Sequence, residues 1–352
     1  MPSAATALAA EHDAAGRHDE AVDALARATQ AGDIDAMTEL GKRLVIGDRA
    51  PMLPQDGARF LIDAMRAGSA EAALRLAPMA ALGAYVEQSW PGALALLVRA
   101  ADLGSEAARG QLNVLSGRPP QADAPPEGWR GVAAQIDAAA WIAPLPGITL
   151  HDEPSVRSFP DFVPPGACDW LIARARGRLR RALIYDPAYG GNVPNRMRTN
   201  SATGFDLMDT DLVLIAIQQR MAAVLGVPVQ NMEGPSILHY AVGQEITEHY
   251  DWVNPRMPHY EHEIRHRGER IVTFLLYLND DYAGGETDFP ELGVRHKGRR
   301  REAMYFTNAT PDGRPDHRMV HAGRPPTRGE KWVMTQFVRS RAVLNVRAEH
   351  VG

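Results

Sequence analysis

Four columns of small and apolar residues recur at an interval of 36 along the first third of this chain. Ala28, Ala64 and Ala100 form one; Gly32, Gly68 and Gly104 a second; Ala36, Ala72 and Ala108 a third; Leu40, Leu76 and Leu112 the last. Four columns in register over three copies constrain the fold strongly. A unit of this length cannot bury its own apolar face, so successive units must stack, and stacked helix pairs are the expected solution. The segments EAVDALARATQAG, ARFLIDAMRAGS and ALALLVRAADLGS read as helices whose small residues let neighbours approach closely. Each column glycine falls where a helix ends and the backbone turns, a place that favours positive φ.

The A-x-x-x-L spacing and the RAG-S-x-x-A phrase resemble Sel1-like repeats, relatives of tetratricopeptide repeats, over about residues 20 to 115. The resemblance implies an all-α solenoid over residues 1–115 whose concave surface takes a protein or peptide partner. The competing reading is a helical cap that only stabilises or solubilises the rest. From 116 to 150 the chain is rich in proline (Pro119, Pro120, Pro125, Pro126, Pro144, Pro146), which suits a linker, with AAQIDAAAW as a short helix inside it.

Past residue 150 the pattern changes to β-branched and aromatic runs broken by Gly, Pro, Asn and Asp. PSILHYAV, RIVTFLLYLND, REAMYF and KWVMTQFVRS read as strands; CDWLIARARGRLRRA and DLVLIAIQQRMAAVLG read as helices packed outside a sheet. Strand runs with separate helices predict an α+β domain over 151–345 built on a jelly-roll-like double-stranded β-helix, whose mouth suits a metal site. The 352 residues suffice for two such cores. A net charge of -5 argues against a broad grip on nucleic acid. Cys168 is the single cysteine, so no intrachain disulfide forms, which suits a reducing cytoplasm. The N-terminus lacks a basic segment followed by a long apolar run, and no stretch of about 18 apolar residues occurs, so neither a signal peptide nor a membrane span is expected.

The second domain carries a small set of chemically loaded side chains. His249 and Asp251 are one residue apart, His321 follows far downstream, and Lys331 lies ten residues beyond it. On an extended strand the His-x-Asp spacing turns both side chains to one face. Two imidazoles and a carboxylate on one face of a metal make the facial triad of non-haem Fe(II) oxygenases, which leaves positions open for a co-substrate and O2. A His-x-Asp pair alone is weak evidence, since most are surface coincidences; its surroundings decide.

Those surroundings are LHYAVGQEITEHYDW, then ERIVTFLLYLNDDYAGGETDFPELG, then MVHAGRPPTRGEKWVMTQFVR. In this order the blocks resemble the catalytic domain of the prolyl 4-hydroxylase family of 2-oxoglutarate oxygenases, over about residues 155 to 340. SFPDFVPPGACDWLIARA and RMRTNSATGF resemble the family's opening strand, helix and substrate-side strand. The resemblance implies Fe(II) held by His249, Asp251 and His321, and Lys331 paired with the far carboxylate of 2-oxoglutarate. It implies that Tyr240 hydrogen-bonds the co-substrate, against the plainer reading of a core ring. Thr273 is a further pocket candidate, although a β-branched strand residue needs no functional reason. Arg198 is a candidate for the substrate groove, with surface arginine as its competitor. One departure is visible: Phe337 stands where the family often has Trp, keeping an aromatic wall without the indole donor. The carboxylate at 251 favours hydroxylation over halogenation.

The implied reaction couples decarboxylation of 2-oxoglutarate to hydroxylation of a C–H bond, releasing succinate and CO2, with L-ascorbate rescuing iron after uncoupled turnover. The substrate class implied is a prolyl residue in a protein or peptide. A free amino acid or small molecule is the alternative, and a non-catalytic repeat scaffold a third reading that the four intact residues oppose. His259, His262 and His266 raise a second metal site as a minor possibility; a charged loop covering the substrate is the main expectation for that segment.

Overall fold

The computed structural model describes residues 3–186, 191–254 and 258–343. By their contacts these fall into two units, 3–140 with 206–216, and 141–205 with 217–343.

The first unit is all helix: Ala4–Ala14, His18–Gln30, Ile34–Ile46, Pro54–Arg66, Ala70–Leu82, Trp90–Asp102 and Glu106–Leu115, followed by the short Gly128–Ala134 and Ala138–Ile142. The 36-residue columns explain this regularity at the level of single hydrogen bonds. Asp33, Ser69 and Ser105 each cap the following helix by accepting from the backbone N–H of Ala36, Ala72 and Ala108. The same three capping residues donate their own N–H to the carbonyls of Ala28, Ala64 and Ala100. Between them Gly32, Gly68 and Gly104 take φ of +87°, +104° and +96°, which only glycine adopts without strain. Leu40, Leu76 and Leu112 are buried behind these turns. Where the helices Ile34–Ile46 and Pro54–Arg66 cross, a Cβ on Gly57 would lie 2.6 Å from the carbonyl oxygen of Gly41. The two backbones meet there because neither residue has a side chain.

Two sequence expectations change here. AAQIDAAAW, expected as one short helix, is divided: its start closes the helix Gly128–Ala134, its end lies in Ala138–Ile142, and Gln135–Asp137 interrupts them. The segment 206–216, read from sequence as part of the 151–345 domain, is counted with the helical unit. Within that unit Gln111 Oε1 accepts from the Leu212 N–H at 3.0 Å, and Arg75 donates to the Met208 carbonyl. Non-local hydrogen bonds of this kind leave no trace in local pattern.

The second unit is a β-sandwich. Its larger sheet has eight strands, in the order Ile148–His151, Val156–Phe159, Ala303–Thr307, Arg270–Tyr277, Lys331–Arg339, Ser236–Tyr240, Ser201–Gly204 and Arg180–Arg181. The smaller sheet has four: Val294–His296, Thr287–Phe289, His321–Gly323 and Ile246–His249. Every pairing is antiparallel. Strands next to one another in sequence switch between sheets, as in the double-stranded β-helix that the sequence predicted. Leu238, Tyr240, Tyr277, Phe289, Met304, Phe306 and Val333 form the buried core.

The four strands expected from apolar runs all form. The helix read in CDWLIARARGRLRRA spans Pro165–Arg176 and stops before Gly177, after which Arg180–Arg181 joins the sheet edge. The segment expected as a charged loop forms the helix Pro258–Arg267, in which Arg265 and Glu261 pair at 2.7 Å one turn apart. The side chains of His259 and His262 lie outside the described residues, so the second-metal idea has no geometry to stand on.

Candidate active site

The site begins with a register match in the smaller sheet. The strands His321–Gly323 and Ile246–His249 run antiparallel with His321 directly opposite His249, which brings the two rings to 4.3 Å between centroids. Asp251 lies two residues past His249, beyond the end of its strand rather than on it. The alternation argument therefore reaches the right residue by a different route. The chain turns Asp251 back, so that Oδ1 lies 3.5 Å from His249 Nε2 and Oδ2 lies 3.4 Å from His321 Nε2.

The ring tautomers follow from the backbone. His249 Nδ1 lies 2.8 Å from the Thr247 carbonyl and His321 Nδ1 lies 3.0 Å from the Met319 carbonyl. A carbonyl only accepts, so each Nδ1 carries a proton, and Nε2 is the ring atom turned to the shared space, where it would face a metal. One donor atom from each of the three residues lies within 4.8 Å of the others. Burial opposes ionisation of Asp251, yet the facing imidazoles hold its carboxyl well below the usual range. Two imidazoles, one carboxylate and, among the described residues, no thiolate suit Fe(II) with open positions. The donor set fits that ion.

These ligand atoms border a cavity of about 450 Å³, whose other lining includes Tyr240, Lys331, Thr287, Arg198, Arg270 and Phe337. Lys331 stands opposite Tyr240 in register on the larger sheet and is 2% exposed. Its Nζ donates to the Gly285 carbonyl at 2.8 Å and lies 5.3 Å from the Tyr240 ring centre and 5.6 Å from that of Tyr277. Among the described residues no carboxylate forms an ion pair with it. Burial accordingly lowers its pKa to about 8, with Glu286 acting weakly the other way. A buried ammonium bonded to a single carbonyl is an open place for an anion. Gly285 has φ +72°, and a Cβ there would meet the Tyr282 ring at 2.9 Å, so the turn that offers this carbonyl requires glycine.

The structure brings His249, Asp251, His321, Lys331 and Tyr240 to one cavity, and Arg198 with them. Thr273 goes elsewhere. It is 1% exposed, lies outside the cavity lining, and donates its hydroxyl to Asp251 Oδ2 at 2.8 Å. It shares a strand face with Leu275, which lines the cavity, but its hydroxyl is taken up by the Asp251 carboxylate rather than turned to the co-substrate space.

Sequence reasoning missed Thr287, Arg270, Glu233 and Arg339. Thr287 lines the cavity near Lys331, and the GGET-x-FP phrase could have singled it out. Arg270 lies with its guanidinium 3.8 Å from the Phe337 ring centre and makes two bonds to Glu233, at 2.7 and 2.9 Å. Glu233 also pairs with the fully buried Arg339, which reaches Glu263 on the helix Pro258–Arg267. Nothing in local pattern ties these residues to one wall. Phe337 thus keeps its aromatic face against a clamped cation.

Comparison with known proteins adds to this geometry. Residues 235–339 match the model of the 2OG-Fe(II) oxygenase superfamily. The chain is 32% identical over 204 residues to Prolyl 4-hydroxylase 5 of Arabidopsis thaliana, covering 53% of this chain and 68% of that protein. Among solved structures it is similar to the viral collagen prolyl hydroxylase vCPH from Paramecium Bursaria Chlorella virus-1. That match has 25% identity and a TM-score of 0.41, over 52% of this chain and 94% of the viral one. It is also similar to a Sel1 repeat protein from Oxalobacter formigenes, at 19% identity and a TM-score of 0.30, over 39% of this chain and 60% of that one.

Proposed function

Because the chain belongs to the prolyl 4-hydroxylase family of 2-oxoglutarate- and Fe(II)-dependent oxygenases, we propose that it hydroxylates a prolyl residue in a protein or peptide. The observation that carries the chemistry is a three-ligand cluster and an ion-pair-free buried lysine in one cavity. In this reading His249, Asp251 and His321 hold the iron through Nε2, a carboxylate oxygen and Nε2. Lys331 takes the far carboxylate of 2-oxoglutarate, with Tyr240 and Thr287 beside it. Bound iron supplies the oxidising power: one atom of O2 enters the substrate C–H bond as hydroxyl, and the other enters succinate as 2-oxoglutarate loses CO2.

The protein supplies geometry and exclusion of water. Lys331 gives a charge that water screens poorly at this depth, so the attraction for a dicarboxylate exceeds its value at the surface. Arg270, held by Glu233 and stacked on Phe337, gives the cavity wall a fixed cation for a peptide carbonyl. Exposed Met197 and Leu183 and half-open Tyr250 offer apolar contact at the cavity for a ring such as proline. The helical unit we assign to recruiting a protein substrate, which its repeat architecture supports. Ascorbate we assign as the reductant that restores ferrous iron, and the cytoplasm as the compartment, on the strength of the lone Cys168.

The test is succinate release stimulated by candidate substrates. Proline-containing peptides are expected to raise it well above the free amino acid. Equal stimulation by free proline, with none by peptides, would move the assignment to a small-molecule hydroxylase.

A further inference from the structure

We infer that Thr273 and Asn308 form a fixed hydrogen-bond relay that positions the Asp251 carboxylate for metal binding. This rests on the reading of His249, Asp251 and His321 as the metal site. Thr273 Oγ1 donates to Asp251 Oδ2 at 2.8 Å, and Asn308 Nδ2 donates to the same Thr273 oxygen at 2.9 Å.

Valence fixes the direction of the chain. An ionised carboxylate only accepts, so the single hydroxyl proton of Thr273 must point at Asp251. The hydroxyl oxygen can then only accept from Asn308, and the amide must present nitrogen. The reverse orientation of that amide would set two acceptors face to face. The consequence is visible on the other side of Asn308, whose Oδ1 is buried without a partner. Leaving a buried amide oxygen unsatisfied costs free energy, and the fold accepts that cost to aim the nitrogen.

Both members are locked. Thr273 and Asn308 are each 1% exposed. The Asn308 N–H donates to the Ile271 carbonyl at 2.8 Å, and its own carbonyl accepts from Asp316 N–H at 3.0 Å. Thr273 lies within the strand Arg270–Tyr277, and Asn308 follows the end of the strand Ala303–Thr307 paired with it. The larger sheet thereby fixes a ligand that lies past the end of a strand of the smaller one. Asp251 needs this more than the histidines do, since each imidazole is oriented by a carbonyl two residues earlier in its own chain. Turning the carboxylate to exchange its oxygens breaks the bond to Thr273, so the relay holds Oδ2 and presents the group in one plane. Neither residue touches the cavity. They are positioning residues.

The experiment uses Co(II) as the probe, on the full chain, with affinity and visible absorption as readouts and thermal unfolding of the metal-free protein as control. Thr273→Val keeps shape and removes the hydroxyl; it is expected to weaken Co(II) binding roughly 10- to 100-fold, the usual loss for an outer partner of a ligand, and to alter the Co(II) spectrum. Thr273→Ser is expected to restore both. Asn308→Leu is expected to give a smaller loss in the same direction. Wild-type affinity and spectrum in Thr273→Val would overturn the relay, and so would a Thr273→Ser variant as impaired as Thr273→Val. Failure of the unmodified protein to bind Co(II), or binding that survives His321→Ala, would instead sink the metal-site reading beneath it.

Discussion

Each unit of this protein buries a cation, and the two are treated in opposite ways. In the helical unit Arg43 is answered by Asp13 at 2.7 Å and by Glu39 at 2.9 Å, so burial, which opposes its charge, is outweighed and its pKa is raised. In the oxygenase unit Lys331 has one carbonyl and, among the described residues, no carboxylate, and burial lowers its pKa to about 8. The first charge is answered by two carboxylates of the chain itself and ties the helix Ala4–Ala14 to Ile34–Ile46. The second is satisfied only when something negative enters. A buried charge that its own protein leaves incompletely answered marks a binding place.

The same division runs through the two units. The caps of the helices find partners three residues away, as Asp33, Ser69 and Ser105 do, while side chains such as Arg43 and Gln111 reach further. Polar groups of the sandwich find theirs across the sheets, as Lys331 does at Gly285 and Asn308 at Thr273. The helical unit is thus ordered by local bonds and apolar contact, and the sandwich keeps open valences at its centre.

The largest effect is expected from the metal ligands. Asp251→Ala or His321→Ala should abolish 2-oxoglutarate turnover and the visible band formed anaerobically with Fe(II) and 2-oxoglutarate. Near-normal turnover in either variant would break the comparison at its root. Lys331→Ala comes next: losing one partner of a buried charge pair costs about 2–5 kcal/mol, so the 2-oxoglutarate KM should rise roughly 30-fold or more. The pH dependence has a definite sign. The ammonium is present below about pH 8 in the ligand-free enzyme, so co-substrate affinity should be high there and fall as pH rises through 8. That step should vanish in Lys331→Ala.

Leu61→Ala, at a fully buried position of the helical unit, should lower stability by about 2–5 kcal/mol while leaving kcat on a short peptide unchanged. A matched fall in kcat would show that the units are not separable in function. The smallest effects are the most pointed. Arg43→Met should destabilise by about 2 kcal/mol, the scale of a charge-assisted hydrogen bond. Lys331→Met should stabilise the ligand-free protein at pH 7, because a lowered folded-state pKa makes the charged lysine a liability there. Between about pH 8 and the ordinary lysine value the unfolded chain binds more protons, so stability from this group rises with pH. Thermal unfolding of both variants checks the opposite signs.

Much of the site was legible because its residues stand in phrases. His249 and Asp251, HAG with His321, and KW with Lys331 stand in blocks whose order resembles the family's, and that resemblance, more than spacing, singled them out. Thr273 was noticed for the wrong reason: its strand and burial were readable, but the direction of its hydroxyl was not. Arg270, Glu233 and Arg339 were not legible as a group, since only strand pairing sets Arg339 opposite Arg270, and Glu263 reaches Arg339 from a helix.

The sequence by itself determined the helical repeats, since the period of 36 places every cap, turn and buried leucine within a few residues of its partners. It also pointed, through phrases that resemble the family's, to the side chains we propose carry the chemistry. Only the tertiary structure decided that 206–216 is counted with the helices, that Asp251 is held from the opposite sheet, and that Lys331 is left without a counter-charge among the described residues. Each of these depends on contacts between residues far apart in the chain, where register and burial, rather than local preference, choose the partner.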